Sequence, residues 1–212
     1  MWGFRPRFLI LLFFRTELRI DYFLILQSTK VLELNFTPFP ILSTERLLLR
    51  AITTDDANEI FFLRSDKEVL KYLDKEPAKS IDEAKEFIER IKKDQANNDG
   101  ILWGITQKDN HLIIGTIGFW RMQKEHYRSE VGYVLHPSYQ GKGIMNEAMQ
   151  AVLNYGFETM KLHSVEANVN PSNAASIKLL EKNWFVKEGY FRENYYYDGK
   201  FLDSAIYSLL AK

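Results

Sequence analysis

Between residues 131 and 157 the chain passes from an alternating apolar run, through a short polar stretch, into a run of helical period. Residues 131–135 alternate as a strand does. Ile144, Met145, Ala148, Met149, Val152, Leu153 and Phe157 then share one helical stripe. The stretch between them, His136-Pro137-Ser138-Tyr139-Gln140-Gly141-Lys142-Gly143, must turn sharply at its glycines. Gly141 and Gly143 lack a Cβ, so several main-chain N–H groups can face one way at the positive end of a helix dipole. That is an anion cradle, and Lys142 adds a formal charge that suits a pyrophosphate better than a single carboxylate.

Two nucleotide motifs are excluded by spacing. A phosphate loop of the G-x-x-x-x-G-K-[ST] type needs a hydroxyl after its lysine, and Gly143 stands there instead. A dinucleotide fingerprint needs a third glycine where Asn146 stands, in an early βαβ unit. What remains is a resemblance: Gln140-Gly141-Lys142-Gly143, after a strand containing Glu130, resembles the Q/R-x-x-G-x-G/A acetyl-CoA loop of the GNAT N-acetyltransferases. Glu130-Val131-Gly132-Tyr133, His136-Pro137, Gly141-Lys142-Gly143 and Asn170-Pro171-Ser172-Asn173-Ala174-Ala175-Ser176 resemble the RimJ/RimL branch, which acetylates protein N-terminal amines. The resemblance runs from about Ser43 to the C-terminus. It departs from the family at Met145, where the loop favours Gly or Ala, and at Trp184, where the family usually carries Gly before Phe.

The chain is 212 residues long, with 28 basic and 28 acidic residues. Its length suits one domain with a substantial core, and nothing in its charge points to nucleic acid. The absence of cysteine excludes disulfides, thiolate catalysis and cysteine-based zinc sites. His111, His126, His136 and His163 lack ligand spacing, so no metal site is expected and a cytoplasmic setting is.

Residues 1–35 do not match the rest and are read as an N-terminal extension or a start-site artefact, with the acetyltransferase-like domain over 36–212. Arg5 and Arg7 before the apolar residues 8–14 imitate a signal peptide. However, Arg15, Glu17, Arg19 and Asp21 follow without a cleavage site, and the run is far short of the roughly 20 residues that span a bilayer. A membrane role is therefore not expected, although residues 22–26 could cover the domain or lie on a membrane surface.

From Glu45 onward, Leu47, Leu49 and Ala51 alternate as a first strand. A helix follows Thr53-Thr54-Asp55-Asp56, with Ala57, Ile60, Phe61 and Arg64 at helical spacing. A short helix is expected near 66–72. Ser80-Ile81-Asp82-Glu83 opens a longer one to about Ala96, with Ile81, Ala84, Phe87, Ile88 and Ile91 facing inward. Strands are expected over 101–107, 112–120, 129–135 and 164–169. A helix capped by Asn170-Pro171-Ser172-Asn173 should bury Ile177, Leu180 and Trp184, and a hairpin turned at Asp198-Gly199 ends the chain. The order predicts an α/β fold. The strand before the loop and the strand after its helix can run parallel, since a helix separates them. The resemblance implies a mixed, mostly antiparallel sheet with that parallel pair splayed and helices on both faces.

Acetyl transfer from a thioester to an amine needs an unprotonated amine, a polarised carbonyl and a proton for the departing thiolate. Glu130 is the candidate base, on a face shared with Gly132 and Val134, where a carboxylate of ordinary pKa could relay the proton; pairing with Arg121 or Arg128 is the competing structural role. The resemblance implies that Gln140, Gly141, Lys142, Gly143, Ile144 and Met145 hold acetyl-CoA and that Leu135 meets the pantetheine arm. It further implies that Asn173 holds a cofactor amide and that Ser176 bonds the thioester sulfur or the pantetheine. A tyrosine that many family members use as the acid is absent, since its place reads Leu179-Leu180-Glu181-Lys182. The expected function is direct, metal-free acetylation of a primary amine, foremost a protein N-terminal α-amine, by a monomer or homodimer. The alternatives are a small-amine acetyltransferase and a non-catalytic acyl-CoA sensor.

Overall fold

The computed structural model describes residues 31–212, so the apolar segments at 8–14 and 22–26 lie outside the described residues. Eight strands form one sheet in the order β1-β2-β3-β4-β5-β6-β8-β7. They are β1 Leu42–Ser43, β2 Leu47–Arg50, β3 Ile101–Gln107, β4 Asn110–Gln123, β5 Arg128–Leu135, β6 Ser164–Val169, β7 Val186–Tyr197 and β8 Lys200–Leu210. Every neighbouring pair is antiparallel except β5 and β6. The helices are α1 Ala57–Ser65, α2 Lys67–Leu70, α3 Ile81–Ala96, α4 Ile144–Asn154 and α5 Ala174–Lys182, with α4 continuing through a π-turn over Tyr155–Thr159.

Two apolar clusters cover the two faces of the sheet. The larger joins Leu47, Leu49, Trp103, Phe119, Val131 and the inner stripe of α4, and Trp103 Nε1 donates to the Pro40 carbonyl at 2.7 Å. Each fully buried leucine or isoleucine there contributes about 1.5–3 kcal/mol by leaving water. Leu32 and Phe36 are buried in this cluster, and the Leu32 N–H donates to the Lys124 carbonyl, so the described chain joins the core from Leu32 onward. The smaller cluster packs Ile60, Leu63, Ala84 and Ile88 of α1 and α3 against Ile52 and Ile113.

Two inward positions expected from periodicity turn out to face solvent. Ile81 is 40% exposed because it is the first residue of α3, immediately after the Ser80 cap. Trp184 is 76% exposed because α5 ends at Lys182 and the backbone at Trp184 swings to φ 66°. Left-handed backbone favours glycine, which is the residue the family resemblance led one to expect there.

The parallel pair determines where the site opens. Pairing of β5 with β6 runs Arg128↔Ser164, Ser129↔Val165, Glu130↔Glu166 and goes no further. β5 stays on β4 as far as Gly115↔Leu135, and β6 stays on β8 as far as Val169↔Ala205. Each strand thus follows its antiparallel partner and the two separate beyond Glu130.

Candidate active site

At the mouth of this opening the loop before α4 takes the predicted form. Gly141 and Gly143 have φ of 72° and 76°, a conformation that costs other residues about 1–2 kcal/mol. A Cβ placed on Gly141 would meet nothing within 4 Å, and one on Gly143 only Arg46 Nη2 at 3.5 Å. The space over both glycines is open. The first four N–H groups of a helix have no intrahelical acceptor, so the start of α4 presents donors here. The side chains of Ile144 and Met145 are buried in the core, which leaves only their main chain to face a ligand.

Glu147 braces the loop against the first hairpin. Its carboxylate accepts from Thr44 Oγ1 at 2.5 Å, from the Arg46 N–H at 2.9 Å and from Arg46 Nε at 2.6 Å, while Arg46 Nη1 donates to the Lys142 carbonyl. Burial pushes the Glu147 carboxyl up, but these bonds outweigh it and hold it below its usual value. The brace is therefore present above the ordinary carboxylate range and is lost as pH falls through the depressed value. Gln140 Nε2 donates to the Leu135 carbonyl at 3.2 Å, tying the loop to the end of β5.

Behind the loop lies a cavity of about 820 Å³, large enough for a cofactor arm and an acceptor together. Residues 131–134 of β5 and 167–170 after the splay line it, with Glu130, Asn173 and Ser176. Leu135, Gln140, Gly141, Lys142, Gly143, Ile144 and Met145 are outside its lining, Leu135 directly following the lining residue Val134.

Glu130 is almost fully buried, opposite Trp120 in register, and of the two arginines weighed as its partner Arg121 is the one it meets. The β4–β5 ladder slips between Trp120 and Gln123, and Arg121 takes φ 50°. This bulge turns Arg121 back so that Nη1 meets Glu130 Oε2 at 3.0 Å. The Glu130 side chain is 8% exposed and that of Arg121 62%. Burial pushes the Glu130 carboxyl above its ordinary value, and the Arg121 guanidinium only partly offsets this. The expectation of an ordinary carboxylate is thus corrected: desolvation outweighs the ion pair because the guanidinium stays in water.

On the other face of β5, Tyr133 reaches Ser176. Their oxygens are 2.6 Å apart, and burial pushes the Tyr133 phenol up to about 12. Asn173 caps α5 by accepting the Ser176 N–H at 3.1 Å. Strand alternation puts Tyr133 on the face of Val131 and Leu135, where an aromatic residue looks like core, and only the contact with Ser176 brings it to the cavity. Tyr195 of β7 hydrogen-bonds Asp74, and both line the cavity. Arg64 also lines it, and its place on the apolar stripe of α1 was the signal available. Among the described residues, no group of three histidine, aspartate or glutamate side chains could hold a metal ion, and no helix is long and apolar enough to cross a membrane.

The sheet with its splayed parallel pair, the open glycine loop and the cavity behind it define an acyl-CoA-dependent acyltransferase architecture. Residues 46–186 match the acetyltransferase (GNAT) domain, and the chain belongs to this family of N-acetyltransferases, which use acetyl-CoA as co-substrate. It is 39% identical to the uncharacterized N-acetyltransferase YoaA of Bacillus subtilis (strain 168), over 81% of this chain and 97% of that one. The ribosomal-protein-S5-alanine acetyltransferase of Vibrio fischeri superposes with a TM-score of 0.70 at 27% identity, covering 81% of this chain and 96% of that one. Spermidine N-acetyltransferase of Vibrio cholerae, in complex with CoA and spermine, superposes with a TM-score of 0.70 at 26% identity, over 79% and 96%.

Proposed function

We propose that this enzyme acetylates the α-amine of a protein or peptide N-terminus in the cytoplasm, as a RimJ/RimL-like acetyltransferase whose domain takes in the chain from Leu32 onward. The observation that carries the reading is Glu130, a buried carboxylate where the parallel strands part, inside the cavity behind the glycine loop. The open space over Gly141 and Gly143 fits a pyrophosphate bound by main-chain N–H groups, with Lys142 adding charge. Leu135 would offer its main chain to the pantetheine arm, and Asn173 a side-chain amide. Bound acetyl-CoA supplies the acetyl group as an activated thioester.

Glu130 takes a proton from the incoming amine, directly or through water, as the N–C bond forms and the C–S bond breaks. Its raised pKa places the base nearer neutral pH and so nearer the amine it serves. Tyr133 and Ser176 together face the departing sulfur. Full transfer from a phenol near 12 to a thiolate of pKa about 8.5 is uphill, so this pair acts by hydrogen-bonding the thiolate, which takes its proton from solvent.

The preference for an α-amine follows from ionisation. At pH 7 an α-amine of pKa about 8 is roughly 10% neutral and a lysine amine of pKa about 10.4 only about 0.04% neutral. A single buried carboxylate deals more readily with the first. The V. fischeri protein is named for acetylating a protein alanine, which supports the reading, whereas the V. cholerae protein is named for a polyamine and supports a small-amine acceptor. Free-thiol release from acetyl-CoA, measured with N-terminally free peptides, with N-blocked peptides carrying lysine, and with spermidine, tests the choice. Turnover of the first set well above the other two is expected; turnover of spermidine alone would overturn the proposal.

A further inference from the structure

Two guanidinium groups sit on one ring in the acceptor half of the cavity. Arg64 Cζ lies 4.1 Å from the Phe87 centroid and Arg90 Cζ 5.2 Å from it. Neither makes an ion pair with a carboxylate among the described residues. Arg64 Nε is enclosed and has no hydrogen-bond acceptor. Lys75 lines the same cavity, against the Trp120 ring at 5.6 Å and likewise without an ion pair among the described residues. The mutual cost of these charges is visible in their ionisation. Burial and then Arg90 lower Arg64, and burial, Arg64 and Arg90 lower Lys75.

Four carboxylates also line the cavity, and none of them makes an ion pair with Arg64, Arg90 or Lys75 among the described residues; Glu76 and Asp94 are two of these. Glu83 attracts Arg64 only at a distance and accepts the Lys79 N–H, Asp74 holds Tyr195, and Glu130 holds Arg121. Like charges brought together around a ring and partly out of water favour an anion among them. Lys75 interacts electrostatically with both the Arg64–Arg90 pair and Glu130, so the cationic wall and the base belong to one space.

We propose that Arg64, Arg90 and Lys75 form a subsite for a carboxylate carried by the acceptor, so that the enzyme prefers peptides with an acidic residue near the free N-terminus. The proposal rests on the N-terminal reading above and names its substrate class. Arg64 offers the planar donors that match a carboxylate, Phe87 holds the guanidinium plane, and Arg90 and Lys75 add charge.

The test uses the full chain, saturating acetyl-CoA and short C-terminally amidated peptides that differ only in carrying Asp, Asn or Lys at the second position. Free aspartate and its amide form a separate arm. The Asp peptide is expected to show a KM at least tenfold below the Asn peptide, with the Lys peptide poorest. Arg64→Gln should remove that preference, raising KM for the Asp peptide at least tenfold more than KM for the Asn peptide. Arg90→Gln should act in the same direction more weakly. Arg90 is exposed, so that variant carries the test if Arg64→Gln fails to fold. Equal KM values for the Asp and Asn peptides, or a preference that survives both substitutions, would overturn the subsite while leaving N-terminal acetylation standing. Acetylation of free aspartate but not its amide, with no peptide turned over, would keep the subsite and overturn the peptide reading.

Discussion

The two halves of the site are built in opposite ways. The cofactor half is contiguous: β5, the glycine loop and α4 follow one another, and one carboxylate, Glu147, secures them to the adjoining hairpin. The other half is assembled from α1, α3, the bulge in β4 and β7, segments far apart in the chain. In the first half the groups on offer are main-chain donors of an exposed loop. In the second, side chains do the work, and their charges are partly buried, displaced in pKa and incompletely paired. A ligand common to a family can be met by a local backbone motif, while a particular acceptor is met by side chains gathered from distant elements.

The largest effect expected from breaking this division is at Glu130. Glu130→Gln should leave acetyl-CoA affinity unchanged and lower kcat about 10²-fold near neutral pH. Arg121, left without its partner, is mostly in solvent, so the fold should persist. Because the folded-state pKa of Glu130 is raised, ionising it costs stability as pH climbs through that value, and the variant should lose little stability at pH 7. The wild-type rate should rise with pH as Glu130 loses its proton, above the usual carboxylate range. The variant lacks that limb, and its deficit should narrow at pH 9, where the amine deprotonates unaided. Pre-steady-state rates at pH 6, 7 and 9 check this; an equal deficit at all three would make Glu130 a positioning group.

In the cofactor half, Gly143→Val should weaken acetyl-CoA at least tenfold by calorimetric titration and leave peptide KM at saturating acetyl-CoA nearly unchanged. The branched side chain opposes φ 76° and fills the space over the loop, while its Cβ meets only the end of Arg46. Unchanged affinity in a folded variant would remove the loop from the cofactor site. The smallest effect belongs to the boundary between the halves. Tyr133→Phe should lower kcat by about threefold to tenfold, with both substrates still bound, because Ser176 retains its own hydroxyl. Single-turnover kinetics would read it, and a loss as large as that of Glu130→Gln would give Tyr133 the proton-donor role that its pKa near 12 argues against.

Much of the fold was legible because the signals were local. Alternation at Leu47 and Leu49, the stripe of α4 and the turn at Asp198-Gly199 each predict their own segment. Where periodicity misled, the cause was a helix end: Ile81 is the first residue of α3 and Trp184 lies beyond the last turn of α5. The loop residues were legible for the same local reason as the strands. The Arg121–Glu130 pair was open to either reading in sequence, since only the bulge with its positive φ turns the arginine inward.

The amino-acid sequence by itself determined the strand-loop-helix passage, the glycines that allow positive φ and the exclusion of cysteine chemistry. These depend on residue type and on neighbours within a turn or two. Tertiary structure decided the rest: that β5 and β6 part after Glu130, that Tyr133 meets Ser176, and that Arg64, Arg90 and Lys75 share a wall. The physical reason is range. Backbone geometry is set by a residue and its immediate neighbours, whereas the charge state of a buried side chain depends on everything packed within a few ångströms, whatever its place in the chain.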